Sequence, residues 1–213
     1  FEADGGTVAV NEAHEDGKAD YRPEIGSLAA SGAETLVVLA YVDGSGQTII
    51  RQAVEGGDFQ SFAGGDGMVG QALIEAAGAG NLDGMILTRP GSPENPGSEL
   101  YRQLATDAGL NPEATFGAQG YDAAFLLALA IEKAGSAERG GISAALREVA
   151  NEPGEVVLPG EWEKAKQLIA DGQDINYEGA TGSLEFDENG DVPGVIERLV
   201  IQGDKIEPVE MMQ

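Results

Sequence analysis

The sequence predicts an α/β fold, a doubly wound parallel sheet with helices on both faces, and three observations carry that prediction. Apolar runs such as residues 36–41 (LVVLAY) lack the alternation of a half-exposed strand, as expected where helices cover both faces of a parallel sheet. Segments of helical period separate these runs, so strand and helix alternate along the first part of the chain. Glycine accounts for 32 of the 213 residues, about twice its ordinary ~7% share, and it punctuates the apolar segments without forming a repeat. Right-handed crossovers then set the strands side by side.

Taken in order, residues 7–10 (TVAV) form a β-branched run between Gly5-Gly6 and the polar stretch 11–20, and read as a strand leaving toward a loop. Asp20 offers an N-cap carboxylate to a helix reaching Ser31, with Ile25 and Leu28 three apart on one face, and Gly32 ends it. The apolar strand 36–41 follows. After the turn Asp43-Gly44-Ser45-Gly46 comes a helix over 47–55, closed by Gly56-Gly57, then a weak strand near 59–63. Gly64-Gly65-Asp66-Gly67 leads into a helix around 71–77 and a strand over 84–88. Pro90, Pro93 and Pro96 break the alternation, and residues 89–96 read as a crossing between two lobes. Helices are expected near 97–108, 120–134, 141–151 and 161–171. The period changes again around Asp187-Glu188-Asn189-Gly190-Asp191, whose Asn-Gly pair favours positive φ. Strands at 183–186 and 195–201 are expected to pair across it as a terminal hairpin.

Composition excludes several classes of function. With 37 acidic against 12 basic residues the formal net charge is −25, which repels phosphate backbones and anionic headgroups. Nucleic acid is therefore not an expected partner. The longest apolar runs, LVVLAYV and FLLALAI, fall far short of the ~20 residues a bilayer requires, so no direct membrane insertion is expected. The absence of cysteine removes disulfides, thiolate metal sites and cysteine nucleophiles, and leaves the redox compartment open. The chain opens Phe1-Glu2-Ala3-Asp4 with no initiator Met, basic n-region or apolar h-region, as expected of a processed product or a fragment.

Gly65-Asp66-Gly67-Met68-Val69-Gly70 fits the dinucleotide fingerprint G-x-G-x-x-G between a strand and a helix, and Asp83 lies near the distance of a ribose-binding acid. Against that reading, Phe59-Gln60-Ser61-Phe62-Ala63 is no long buried first strand, and Asp66 would set a carboxylate beside the pyrophosphate. Asp187, Asn189 and Asp191 imitate the opening of a calcium loop. The imitation fails at the sixth position, Val192, and at the twelfth, Arg198, so a solvated turn is expected. His14, the one histidine, lies among Glu12, Glu15 and Asp16 and cannot build a zinc site without cysteine. Ser45 sits in Gly44-Ser45-Gly46 without the outer spacing of a nucleophile elbow, and Trp162 reads as a packing anchor. Hydrolase, metalloenzyme and redox readings thus all lack their nucleophile, metal ligands or cofactor cradle.

What remains is a pair of polar, glycine-flanked turns, 41–45 and 64–68, at the carboxyl ends of adjacent parallel strands. Ligands of open α/β sheets bind there. Tyr41 could supply an apolar wall, Asp43 and Asp66 could receive a cation, and Ser45 with backbone N–H groups could donate hydrogen bonds. Equally, Asp43 and Asp66 could be turn formers only.

Five stretches now bear on family: LVVLAYVDGSGQTIIRQAVEGG from Leu36, FAGGDGM from Phe62, LDGMILTRP from Leu82, FGAQGYDAAFLLALAIEKAG from Phe116 and INYEGATGSLEFDENGDVPG from Ile175. In their order and spacing the chain resembles the substrate-binding proteins of ABC importers for branched-chain and other amino acids, the Leu/Ile/Val-binding type with the two-lobed type I periplasmic binding fold. The match runs along nearly all of this chain but covers only the later part of the family's length, which implies that the N-terminal lobe is largely missing and that Phe1-Glu2-Ala3 is the tail of a helix. It implies further that residues 1–89 form most of the second lobe, 90–180 the helical part of the first lobe after the hinge crossing, and 181–213 the terminal hairpin and hinge strands. Carried over by position, Asp66 matches the acid that receives a ligand's ammonium, and Tyr41-Val42-Asp43 matches the family's aromatic loop. Ala118, before Tyr121-Asp122-Ala123-Ala124, matches a further segment facing the cleft. The ligand-binding set is then Tyr41, Val42, Asp43, Ser45, Asp66 and Ala118. The implied protein is a periplasmic or secreted receptor without a cofactor, which closes on an amino acid or similar small polar ligand and delivers it to an ABC permease in the membrane. The alternatives are a nucleotide-dependent enzyme using the 65–70 loop and a ligand-sensing domain of a receptor.

Overall fold

A computed structural model of the chain describes residues 1–212. Gln213, the last residue of the expected terminal hairpin, lies outside them. After a 3-10 turn at Glu2–Asp4 the elements are α1 (Arg22–Ala29), β1 (Thr35–Val38), α2 (Gln47–Gly56), β2 (Ser61–Gly64), α3 (Gln71–Ala77), β3 (Ile86–Pro90), α4 (Pro96–Asp107), α5 (Gly117–Ala134), α6 (Arg139–Ala150), β4 (Glu155–Val157), α7 (Trp162–Ala170), β5 (Ile175–Gly179), β6 (Gly182–Ser183), β7 (Ile196–Gln202) and β8 (Lys205–Met212). They fall into two compact units, one of residues 1–89 with 197–212 and one of residues 90–196.

The first unit is built on a five-stranded sheet in the order β1-β2-β3-β7-β8. β1 and β2 run parallel with Thr35 opposite Ser61 and Val38 opposite Gly64, and β2 and β3 run parallel with Ala63 opposite Ile86. Because the strand order advances in one direction, right-handed crossovers put α2 and α3 on the same face, where they pack on each other. α2 buries Ile49, Ile50 and Ala53 and α3 buries Leu73, Ile74 and Ala77, the spacing of a helix with one apolar stripe. Leu36, Val38, Phe62 and Leu87 complete that core from the strands. Val37 and Ile86, which alternate with them on the other face, are 59% and 41% exposed.

Residues 7–10 do not form the expected strand. They are coil, with Val8 and Val10 exposed, and among the described residues β1 at the sheet's edge pairs only with β2. β propensity expresses itself only where a neighbouring strand and a face to pack on are present, and the parallel set is β1, β2 and β3 instead. The terminal hairpin also differs from expectation. β6 pairs antiparallel with β5, Glu178 opposite Ser183, while β7 turns into β8 through Gly203-Asp204, with Gly203 at φ 64°, a two-residue hairpin turn. Side chains satisfy the 186–191 turn that sequence placed between paired strands. Asp187 Oδ1 accepts the N–H groups of Asn189 and Asp191 at 2.8 Å each, and the Asn151 amide exchanges hydrogen bonds with the Phe186 backbone at 2.8 and 3.0 Å.

In the second unit β4 lies parallel to β5, with Val157 opposite Tyr177, and α5 and α6 pack together over them. Phe125 meets Tyr177 with ring centroids 5.0 Å apart and Trp162 edge-on at 6.1 Å, the offset and T-shaped geometries that aromatic quadrupoles favour. The buried carboxylate of Asp122 ties α5 to the end of β5. It accepts from the Tyr177 hydroxyl, the Ala180 N–H, and the N–H and hydroxyl of Thr181. Burial, reinforced by this neighbouring charge, pushes the Tyr177 phenol far up from its ordinary range.

Candidate functional site

Beyond the carboxyl ends of the parallel strands in the first unit, two connections meet. β1 leaves into a tight turn in which the Tyr41 carbonyl accepts the N–H groups of both Gly44 and Gly46, each at 3.0 Å. β2 leaves through Gly65 into a single 3-10 turn at Asp66–Met68, closed by the Met68 N–H on the Gly65 carbonyl at 3.1 Å.

Glycine lets these turns touch. A Cβ at Gly67 would lie 2.6 Å from the Ala40 carbonyl oxygen and 3.1 Å from Tyr41 Cδ1, and one at Gly46 would lie 2.6 Å from Met68 Sδ and 2.8 Å from the Tyr41 carbonyl oxygen. Only a residue without a side chain permits such approaches. Met68 is fully buried beneath them. Tyr41, 73% exposed, therefore stands beside the peptide of Asp66 and Gly67. The Asp66 side chain is exposed, and its Oδ1 accepts the Gly67 N–H at 2.7 Å. That bond orients the exposed carboxylate.

The other expected residues divide. Asp43 is exposed on the first turn. Val42 is buried, close enough to Gly70 that a Cβ there would lie 3.1 Å from Val42 Cγ1. Ser45 is 3% exposed. Ala118 lies in the first turn of α5 in the second unit, buried with Tyr101, Ala105 and Ala180. The structure thus brings Tyr41, Val42, Asp43, Ser45 and Asp66 together, with Tyr41, Asp43 and Asp66 facing solvent.

Two residues that the sequence reading misses complete the arrangement. His14 Nε2 lies 2.9 Å from Ser45 Oγ, and Asp16 Oδ1 accepts the Ser45 N–H at 2.8 Å. Hydrogen bonding from the Ser45 hydroxyl and from its N–H holds the Asp16 carboxyl below the usual carboxylate range. The strap that carries both residues is anchored by Tyr21. Its hydroxyl donates to the Glu15 carbonyl and accepts from the Lys18 N–H, each at 2.9 Å, and its N–H donates to the buried Gln52 side chain at 2.7 Å.

The geometry also bears on the competing chemistries. A serine hydrolase needs its acid on the second nitrogen of the histidine, and here Asp16 takes the serine's own N–H. A dinucleotide site needs free amides at the glycine turn. Asp66 already occupies the Gly67 N–H, and Asp83 accepts the Gly203 N–H at 2.7 Å. Among the described residues no group of three or more His, Asp or Glu is placed to hold a metal ion, and no helix is long and apolar enough to cross a membrane.

A family model described as periplasmic binding protein matches residues 1–173. The chain belongs to the periplasmic binding protein family. Over 186 residues, 87% of this chain and 42% of the relative, this periplasmic binding protein is 29% identical to the leucine-, isoleucine-, valine-, threonine-, and alanine-binding protein of Pseudomonas aeruginosa. Over 123 residues, 58% of this chain and 29% of the relative, it is 29% identical to the chemotactic signal transduction system substrate-binding protein BasB of Halobacterium salinarum. The leucine binding protein LivK of Thermotoga maritima superposes with a TM-score of 0.68 and 23% identity, over 92% of this chain and 49% of that one. That likeness shows the fold, the α/β architecture of type I periplasmic binding proteins. The chain spans about half the length of these relatives or less. The relatives are substrate-binding proteins rather than enzymes.

Proposed function

We propose that the turns after β1 and β2 form one wall of the ligand site of an extracytoplasmic solute receptor, that the ligand is an amino acid of the branched-chain type or a similar small zwitterion, and that the receptor delivers it to the permease of an ABC importer. The observation that carries this reading is the close approach of Gly67 to Ala40 and Tyr41, which sets an exposed aromatic ring beside an exposed, oriented carboxylate. Tyr41 offers an apolar face to an aliphatic side chain, and Asp66 with Asp43 offers the ammonium an anionic partner. Val42 and Ser45 support the wall from behind. The name of the Pseudomonas aeruginosa relative supports the ligand class. In this reading residues 1–89 form most of the receptor's second lobe, residues 90–180 the helical part of its first, and residues 181–213 its hinge strands.

Equilibrium dialysis against L-leucine, L-isoleucine, L-valine and NAD tests it. Saturable uptake of an amino acid with none of NAD is expected, and uptake of NAD alone would replace the receptor by a nucleotide-binding protein. The chemotactic role in the name of the Halobacterium salinarum relative favours a second destination for the same loaded receptor, a signalling receptor in place of a permease. Neighbouring genes for permease subunits or for signal transducers distinguish the two.

A further inference from the structure

The strap of residues 11–20 has no part in the reading above, yet it ends on the same turn. His14 and Asp16 reach Ser45 on its hydroxyl at 2.9 Å and on its N–H at 2.8 Å. Ser45 stands between Gly44 and Gly46, whose N–H groups both close on the Tyr41 carbonyl. Gly44 makes room for the strap as well, since a Cβ there would lie 2.9 Å from Asp16 Oδ1. The backbone of Gly44, at φ −111° and ψ −124°, leaves the helical values of its neighbours. The turn therefore lacks an uninterrupted ladder of its own, and the buried Ser45 N–H finds its acceptor on the strap.

We propose that His14 and Asp16 are positioning residues, a two-armed clamp that holds the 41–46 turn, and through it Tyr41 and the Asp66-Gly67 peptide, in the arrangement that receives ligand. The effect on ligand rests on the function proposed above; the effect on the turn does not. Contact is continuous along the way. The two arms fix Ser45, the Tyr41 carbonyl ties the glycines on either side of it, and Gly46 and Gly67 seat the turn on Met68 and Ala40. A carboxylate acceptor makes the stronger kind of hydrogen bond, and without it the Ser45 N–H would be buried unpaired. Asp16 is exposed and His14 half-buried, so substitution at either empties no core, and the strap keeps its anchors at Tyr21 and Gln52.

Amide hydrogen exchange at Gly44, Ser45 and Gly46 tests the clamp on the chain as it stands. Asp16→Ala is expected to raise exchange at all three together by about tenfold or more, the scale of one lost charge-assisted hydrogen bond. Asp16→Asn keeps an oxygen at Oδ1 and should restore most of the protection. His14→Gln keeps a nitrogen within reach of Ser45 Oγ and should stay near wild type where His14→Ala does not. Exchange raised at Ser45 alone would mean an isolated bond and would overturn the proposal, as would unchanged exchange at all three. Titration with L-leucine, at a temperature where circular dichroism shows the variant folded, reads the consequence: Asp16→Ala should weaken binding by about threefold or more. Looser exchange with unaltered leucine affinity would show that the clamp does not serve the ligand site, which overturns the positioning role. Failure of the wild-type chain to bind any amino acid would remove the proposed function instead, while the exchange data would still decide for or against the clamp.

Discussion

Asp122 accepts from Tyr177, Ala180 and Thr181 at 2.7–2.9 Å and is almost sealed from solvent. Its removal strands the fully buried Tyr177 and Ala180 donors along with the half-buried pair on Thr181, at about 1–3 kcal/mol for each group left buried and unpaired. Asp122→Ala should therefore cost the second unit at least about 3 kcal/mol, read as a lower urea midpoint. Asp122→Asn should fare little better, because its amide nitrogen would face another donor. An unchanged midpoint in both would mean that the donors find other partners. Asp16 responds to pH instead. Its folded pKa lies below the unfolded one because Ser45 donates to the ionised form. A carboxylate of this kind contributes stability above its unfolded pKa and loses it as pH falls through the folded value. The Ser45 amide proton shift should move on the acid side, below about pH 4; no inflection there would contradict the assignment of Asp16 as its acceptor.

At the scale of elements, α3 falls at 71–77 as the sequence reading expects, and α2 and α4 lie within a residue of it. Their limits are written locally: Gly57 caps α2 in the left-handed region, and Asn95 caps α4 by accepting the Ser98 N–H ahead of Pro96. Residues 7–10 show the opposite case, since a strand needs a partner. A cavity of about 350 Å³ is bordered by the strap at Asn11 to His14 and by the edge of β1 at Leu36 to Leu39, and no strand of the described residues lies along that edge. The meeting of the turns that carry Tyr41 and Asp66 was legible because both turns are glycine-flanked and follow adjacent parallel strands. His14 and Asp16 were not, because their contacts span 31 and 29 residues and leave no local pattern. The turn-to-turn packing gives its own prediction. Ala at position 67 would press Cβ to 2.6 Å from a backbone oxygen, whereas at Gly65 the nearest atom is 3.6 Å away at the end of Leu39. Gly67→Ala should force the turns apart and lower amino-acid affinity by about tenfold or more, while Gly65→Ala leaves it intact. Equal affinities in calorimetry would show that the contact does not shape the site.

The whole molecule carries a net charge of −25. Such a charge repels itself in the compact state, over a Debye length that shrinks from ~30 Å at 0.01 M salt to ~3 Å at 1 M. The unfolding midpoint should accordingly rise by several degrees between those salt concentrations, and a midpoint that falls would show that local ion pairs such as Arg89 with Glu197 outweigh the repulsion. In the proposed site the same field would favour an ammonium group at Asp66. Loss of one partner in a desolvated charged hydrogen bond costs about 2–5 kcal/mol, and each 1.4 kcal/mol is tenfold in affinity. Asp66 is exposed, so its substitution should spare the fold. The direct measurement is isothermal titration calorimetry of L-leucine, L-isoleucine and L-valine into the wild-type chain and Asp66→Asn. The account predicts saturable binding of at least one amino acid, weakened by about tenfold or more in the variant at an unchanged unfolding midpoint; equal affinities in the two proteins would make Asp66 a turn residue only and contradict it.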